Sequence, residues 1–157
     1  MKRPDTKMTI RRADLSDIDQ LCHIENQVFD ERLYHQTPRR QIRYQLSSKT
    51  VEIWIAYSNG QILGAMSLFF KRNSQFCRLY SIAVLPEYQG GEIGKKLFEF
   101  AEIRAAKKKL KGMMLEIRSD NTRHLERYKK LGYEEIYRVP DYYPDGMPCI
   151  KLKKRFE

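Results

Sequence analysis

The first place where this chain could do chemistry is a strand that runs into glycines. Residues 78–94, RLYSIAVLPEYQGGEIG, carry an apolar run ahead of Gln89, Gly90, Gly91, Glu92, Ile93 and Gly94, with Lys95 following. Side-chain-free positions at the start of a helix let successive N–H groups converge on an anion, so the ligand expected there carries a pyrophosphate. The competing reading is an ordinary strand-to-helix connection. Further on, Glu116 interrupts the apolar run MMLEI; it is either a solvated surface glutamate or a carboxylate with a task. Tyr128, in ERYKKLGY, reads by itself as a packing residue on a helix face, and DYYPDG (141–146) reads as a turn. His23, His35 and His124 are scattered without a neighbouring Ser or Cys motif, so a histidine-based nucleophilic triad is not supported. Cys22, Cys77 and Cys149 are odd in number, widely spaced and without a C-x-x-C pair; neither a disulfide framework nor a zinc site is expected, and no other metal.

The elements that must position these residues follow from periodicity and turn chemistry. Thr9 to Arg12 suits a first strand, and Asp14 or Ser16 can cap a helix whose apolar positions Ile18, Leu21, Ile24 and Val28 recur at helical spacing. Phe29 to Thr37 is a polar-aromatic connection, and Pro38 opens a second helix through Leu46. Val51 to Tyr57 and Ile62 to Phe70 flank Asn59-Gly60, a hairpin signal, and Leu79 to Leu85 adds a third adjacent strand. A helix begins near Gly94 and ends in a lysine run that suits the negative end of its dipole. Met113 to Arg118 is a strand, Thr122 to Leu131 a helix ended by Gly132, and Tyr133 to Val139 with Cys149 to Lys153 are the last two strands. The expected architecture is a mixed α/β sheet with helices on both faces.

With SIAVLPEYQG, LEIRSDN, YKKLG and DYYPDG in place, the chain resembles the GNAT superfamily of acyl-CoA N-acyltransferases, and within it the RimI-like protein N-terminal (ribosomal-protein alanine) acetyltransferases. The resemblance implies a mostly antiparallel central sheet whose middle strands splay apart to admit the pantetheine arm of acetyl-CoA. By resemblance, Ile82, Ala83 and Val84 contact the acetyl and pantetheine portion, while Gln89, Gly90, Gly91, Glu92, Ile93, Gly94 and Lys95 form the pyrophosphate loop. Asn121, readable as an N-cap, also bonds the pantetheine arm. The implied reaction is direct attack of an amine on the thioester, with the Val84 or Leu85 N–H stabilising the thioester oxygen. Tyr128 follows Glu116 by 12 residues, as do the acid and base of the RimI-like family. The resemblance therefore implies that Glu116 accepts the amine proton and Tyr128 donates to the departing thiolate. Tyr142 and Tyr143 then belong to a loop that grips a peptide backbone, with Phe29 and Tyr34 on the opposite wall. One departure stands out: the family's Gln-x-x-Gly-x-Gly has its first glycine where this chain has Glu92. If that position requires positive φ, the glutamate costs about 1 kcal/mol and sets a carboxylate near an anionic ligand.

At 157 residues the chain is long enough for one substantial core, and residues 1–157 read as a single N-acetyltransferase domain. A formal charge of +10 favours anionic partners without choosing among cofactor, nucleic acid and membrane face. The basic runs at Lys107, Lys108, Lys109 and Lys111 and at Lys151, Lys153, Lys154 and Arg155 also read as solvated ends. The N-terminal stretch lacks the apolar core of a signal peptide and no apolar run reaches membrane-spanning length, so a cytoplasmic location without membrane contact is expected. The expected function is acetyl transfer from acetyl-CoA to a protein α-amine, with a ribosomal protein as a candidate partner. Two alternatives stay open: a lysine or small-amine acceptor, and a non-catalytic ribosome- or nucleic-acid-binding module. The paired Glu116 and Tyr128, and the lack of an RNA-binding motif, argue against the second. Oligomeric state and acyl-chain preference are not legible.

Overall fold

In the computed structural model, which describes residues 7–157, a hairpin seeds the sheet. β2 (Val51–Ser58) and β3 (Gln61–Phe69) close around Asn59 and Gly60, whose φ values of 50° and 74° are those of a two-residue turn matched to strand twist. β1 (Thr9–Arg12) pairs with β2, and β4 (Phe76–Val84) pairs with β3, both antiparallel. β5 (Gly112–Arg118) joins β4 in parallel, and β7 (Cys149–Arg155) lies antiparallel between β5 and β6 (Glu134–Val139). The sheet order is therefore β1-β2-β3-β4-β5-β7-β6, mixed and mostly antiparallel.

Helices cover both faces. α1 (Ile18–Val28) follows a short helical turn, Leu15–Asp17, fixed by a capping box between Asp14 and Asp17; with α2 (Arg39–Ser47) it buries Leu21, Ile24 and Ile42 against Ile53, Ile55, Ile62 and Ala83. On the other face α3 (Ile93–Lys107) sets Leu97, Phe98, Ala101 and Ala105 against Met66, Leu68, Leu79, Met113, Leu115 and Leu152. Full burial of each large aliphatic side chain stabilises by about 1.5–3 kcal/mol. α4 (Thr122–Lys130) has no fully buried residue and leans Leu125 and Tyr128 on the α3 side.

The feature that shapes the site lies at the centre of the sheet. β4 and β5 pair only from Phe76–Gly112 to Leu79–Leu115, although β4 continues to Val84 and β5 to Arg118. The cause is in the neighbouring pairing: Ser67 stands opposite Ser81 and Leu68 opposite Leu79, which leaves Tyr80 as an extra residue. A bulge bends its strand and increases its twist. Beyond Tyr80, β4 follows β3 away from β5, which continues along β7 to the Arg118–Cys149 pair. Most boundaries fall within one residue of the sequence expectation, α3 among them, and two differ by more. β4 begins at Phe76, because the parallel pairing recruits residues 76–78, and β7 runs on to Arg155, opposite Gly112.

Candidate active site

The separated halves of β4 and β5 form the walls of a cleft of ≈ 530 Å³. It collects Ile82, Glu116, Asn121, Tyr128, Phe29, Tyr34, Tyr142 and Tyr143. Ala83 turns toward α1 and α2, where it lines a second, smaller cavity, and Val84 packs on the α3 side. Residues 89–95 are outside the cleft lining, at the start of α3.

That start is built as an anion cradle. Hydrogen bonds resume with the Lys96 N–H to the Glu92 carbonyl; among the described residues none engages the N–H groups of residues 90–95. The Gln89 side chain donates to the Val84 carbonyl at 2.9 Å and ties the loop to the end of β4. Gly90, at φ 81°, supplies the left-handed turn, and a Cβ built on it would meet nothing within 4 Å, so its surface is open to a ligand. Glu92 sits at φ −96°, ordinary right-handed backbone. The strain expected if a glutamate had replaced a positive-φ glycine is therefore absent, because the left-handed residue of this turn is Gly90. The Glu92 carboxylate lies 3.9 Å from Lys96 and is exposed. Free donors, an open glycine and Lys95 and Lys96 in the first turn fit the pyrophosphate of an acyl-CoA.

Glu116 is not a solvated surface residue. Its side chain is 11% exposed and lies between two cations: the Lys151 ammonium donates to Oε1 at 2.7 Å, Arg78 Nη2 is 2.9 Å from the same oxygen, and Arg78 Nε donates to Oε2 at 3.3 Å. Lys151 is its direct cross-strand neighbour on β7. Tyr128 lies among Phe98, His124 and Tyr133, and burial pushes its phenol above the ordinary tyrosine range, which keeps its proton in place at neutral pH. Asn121 caps α4 by accepting the His124 N–H at 3.3 Å, and its amide also meets the His124 ring at 3.0 Å. Burial, then Arg127 and Arg123, holds that imidazole below the ordinary histidine range.

The acceptor end of the cleft is an aromatic wall held by one arginine that the sequence reading missed. Arg118, 6% exposed, forms paired hydrogen bonds to Asp145 (3.1 and 2.7 Å) and to Asp120 (3.1 and 3.2 Å), and donates to the Leu33 carbonyl at 2.7 Å. It lies under the rings of Tyr34 and Tyr143. The Phe29–Tyr34, Tyr34–Tyr143 and Tyr142–Tyr143 pairs meet edge-on at 5.3, 5.6 and 5.0 Å. His35 bridges to the Tyr142 carbonyl at 3.2 Å. The α1–α2 connection and the β6–β7 loop, far apart in sequence, thus meet in one wall, whereas the sequence expectation sets Phe29 and Tyr34 opposite Tyr142 and Tyr143. An arginine ending an apolar strand was the available signal for Arg118; for Glu25 and His35, which also line the cleft, none was.

Comparison with known proteins shows the family and the fold. Residues 18–133 match the acetyltransferase (GNAT) family. A Bacillus subtilis protein, provisionally named a ribosomal-protein bS18 alanine N-acetyltransferase, is 26% identical over 146 residues, spanning 90% of each chain. An N-alpha-acetyltransferase of Sulfurisphaera tokodaii is 29% identical over 149 residues, 87% of this chain and 86% of the relative. The crystal structure of the ribosomal-protein-S18-alanine N-acetyltransferase from Escherichia coli superposes with a TM-score of 0.84 at 22% identity, covering 95% of this chain and 94% of that one, and so shares the fold. With its family matched across most of its length and its fold shared, the chain belongs to the GNAT family, as an acetyl-CoA-dependent N-acetyltransferase.

Proposed function

We propose that the protein acetylates the α-amine of a protein N-terminus, with a ribosomal protein as the candidate substrate and the cytoplasm as the place of action. The observation that carries this reading is the state of the acidic groups around the acceptor end. Polyamines and aminoglycosides carry several positive charges and call for several free carboxylates. Here Asp120 and Asp145 are held by Arg118, and Glu116 by Arg78 and Lys151. What remains is a single carboxylate without an ion pair among the described residues, Glu25, too few for a polycation, and an aromatic wall suited to a peptide backbone and its first side chains. The names of the Bacillus and Sulfurisphaera relatives point the same way.

Residues 90–95 would hold the pyrophosphate of acetyl-CoA, and Ile82, Ala83 and Val84, with Asn121, its pantetheine arm; bound there, it supplies the thioester. The Val84 or Leu85 N–H would face the thioester oxygen. Tyr128, kept protonated by burial, donates to the departing sulfur. Glu116 accepts, through water, the proton that the nitrogen sheds once the C–N bond has formed. At that stage the nitrogen is a far stronger acid than a free ammonium, so a carboxylate flanked by two cations is adequate. The test is an acceptor panel, with free thiol followed as acetyl-CoA is consumed. Peptides with a free N-terminus should outcompete lysine, polyamines and aminoglycosides in kcat/KM. Better turnover of any small amine than of every peptide overturns the proposal.

A further inference from the structure

Two protons must leave the substrate nitrogen, because it arrives as an ammonium and departs as an amide. Glu116 is badly placed for the first of them: Arg78 and Lys151 already compete for its oxygens. A second carboxylate faces the same cleft. Glu25, on α1, accepts the Thr37 N–H on Oε2 at 3.0 Å, and no ion pair or other hydrogen bond engages its carboxylate among the described residues. Behind it lies a separate cavity of ≈ 40 Å³ between α1, α2 and the sheet. Glu25, Thr37 and Ser81 line both spaces and connect them; Ser67 and Gln45 complete the polar part of the inner one. Gln45 is 3% exposed, and its amide Nε2 is buried with no hydrogen-bond partner among the described residues. An orphaned buried donor is costly; although Leu21, Ile24, Ile42, Ile53, Ala65 and Ala83 make most of the lining apolar, the five polar residues give partners in a space large enough for about two or three waters. Ser81 belongs to the splayed half of β4, next to the bulged Tyr80, which sets this cavity directly against the acceptor cleft.

We propose that Glu25 binds the incoming substrate ammonium and takes the proton that must leave before attack, passing it to water held by Gln45, Ser67 and Ser81 in the inner cavity. The proposal rests on the acetyl-transfer reading and adds to it the group that makes the amine a nucleophile. The ammonium gives one proton to the Glu25 carboxylate, which releases it to solvent through that water. The freed lone pair forms the C–N bond and the C–S bond breaks. The sulfur takes the Tyr128 proton, and the second nitrogen proton, relayed through Glu116, restores the phenol. The balance is one amide, one thiol and one proton released per turnover. Burial holds the Glu25 carboxyl above the ordinary carboxylate range, opposed by the Thr37 N–H, which makes it the better acceptor for an ammonium proton.

The other titratable and charged groups in the cleft are Tyr34 and His35 of the α1–α2 connection, Arg78 and Tyr80 of β4, and Glu116 and Arg118 of β5; Tyr142, Tyr143, His124 and Tyr128 complete its rim. A pH profile therefore has to be read as the difference between wild type and variant. The experiment measures kcat and KM of the full chain for the best peptide between about pH 6 and 10, with acetyl-CoA affinity by calorimetry. Glu25→Gln keeps an acceptor for Thr37. It should lower kcat/KM at pH 7 by about 10²–10⁴-fold, leave acetyl-CoA affinity unchanged, and lose less as pH rises past the α-amine value of about 8. Glu25→Asp should recover part of the rate. Gln45→Leu removes the orphaned donor, so it should fold; it should lower kcat without touching Glu25 or acetyl-CoA affinity. Glu25→Gln with wild-type kcat/KM at pH 7, or with a deficit that does not change with pH, overturns the proposal alone. If Glu25→Gln unfolds, Gln45→Leu decides, and full kcat in that variant overturns it. A wild type that acetylates no amine overturns the acetyl-transfer reading and this proposal with it.

Discussion

Glu116 and Tyr128 show how differently the environment can treat two residues picked out by one spacing. Tyr128 is buried among aromatic rings, while Glu116 is buried among cations. Their variants should therefore separate. Tyr128→Phe removes only the donated proton, and should lower kcat by about 10²–10⁴-fold at all pH values with acetyl-CoA affinity nearly intact. Glu116→Gln also leaves Arg78 and Lys151 without their anion, so the same kcat loss should come with a lower melting temperature, and the loss should not shrink at high pH, because its proton leaves after attack. Calorimetric melting beside steady-state kinetics checks both. Full kcat in both variants returns them to packing roles. The sequence made Glu116 visible because a charge interrupts an apolar strand. It could not show that Arg78 and Lys151, 38 and 35 residues away, complete the site, since those contacts exist only once β4, β5 and β7 are in register. Glu25 was invisible for a related reason: on α1 it looks like any polar helix residue, and its meaning comes from the cavity behind it.

At the scale of elements, local chemistry was legible and the splay was not. The Asn59-Gly60 hairpin, the Asp14 cap, the Gly132 stop and the glycine turn before α3 are all written in adjacent residues. The separation of β4 from β5 instead depends on which residue of β4 is skipped by β3, and nothing in Leu79-Tyr80-Ser81 marks Tyr80 as the extra one. Only the family resemblance supplied that expectation. Glu92 is the opposite case, where motif matching suggested strain that the backbone does not have. With Gly90 carrying the left-handed turn, the cradle rests on free N–H groups, and a Cβ added at Gly94 would make only an ordinary contact, 3.7 Å from Val84, so a side chain there fits sterically. Gly94→Asp therefore places a carboxylate among donors meant for a pyrophosphate and should weaken acetyl-CoA binding by at least tenfold, a loss of about 1.4 kcal/mol. Equal calorimetric affinity for Gly94→Asp and wild type would remove the cradle from the account. Glu92→Gly, having no strain to relieve, should change affinity only through the lost charge, an effect that added salt screens.

At the scale of the molecule, a mixed sheet with helices on both faces followed from periodicity, because each helix and strand has one apolar face to bury, whereas the insertion of β7 between β5 and β6 did not. What holds the two ends of the chain's order together is less regular. Glu52, at the start of β2, is buried with four groups around it: Arg104 of α3 at 2.8 and 2.9 Å, Lys108 just past the end of α3 at 3.0 Å, Trp54 of β2 at 2.9 Å, and Arg12 of β1 at 3.7 Å. The lysine run at the end of α3 thus does more than complement a dipole; one member clamps that helix to the β1 edge of the sheet. Burial by itself would raise the Glu52 carboxyl, but hydrogen bonds from Arg104, Trp54 and Lys108 outweigh it and hold it down at about 2. A group whose value is lower in the folded than in the unfolded chain stabilises the fold above its unfolded value, near 4.5, and loses that contribution as pH falls toward about 2. Glu52→Gln should therefore cost about 2 kcal/mol at pH 7, less than the loss of a fully buried pair because Arg104, Lys108 and Arg12 keep contact with water. The deficit should narrow as pH falls from about 4.5 toward 2, because the wild type then loses what the variant never had. Chemical denaturation of both proteins across that range measures it. A deficit that stays constant with pH would mean that the clamp acts through shape alone, and identical stability at pH 7 would mean that α3 is held by its apolar face without it.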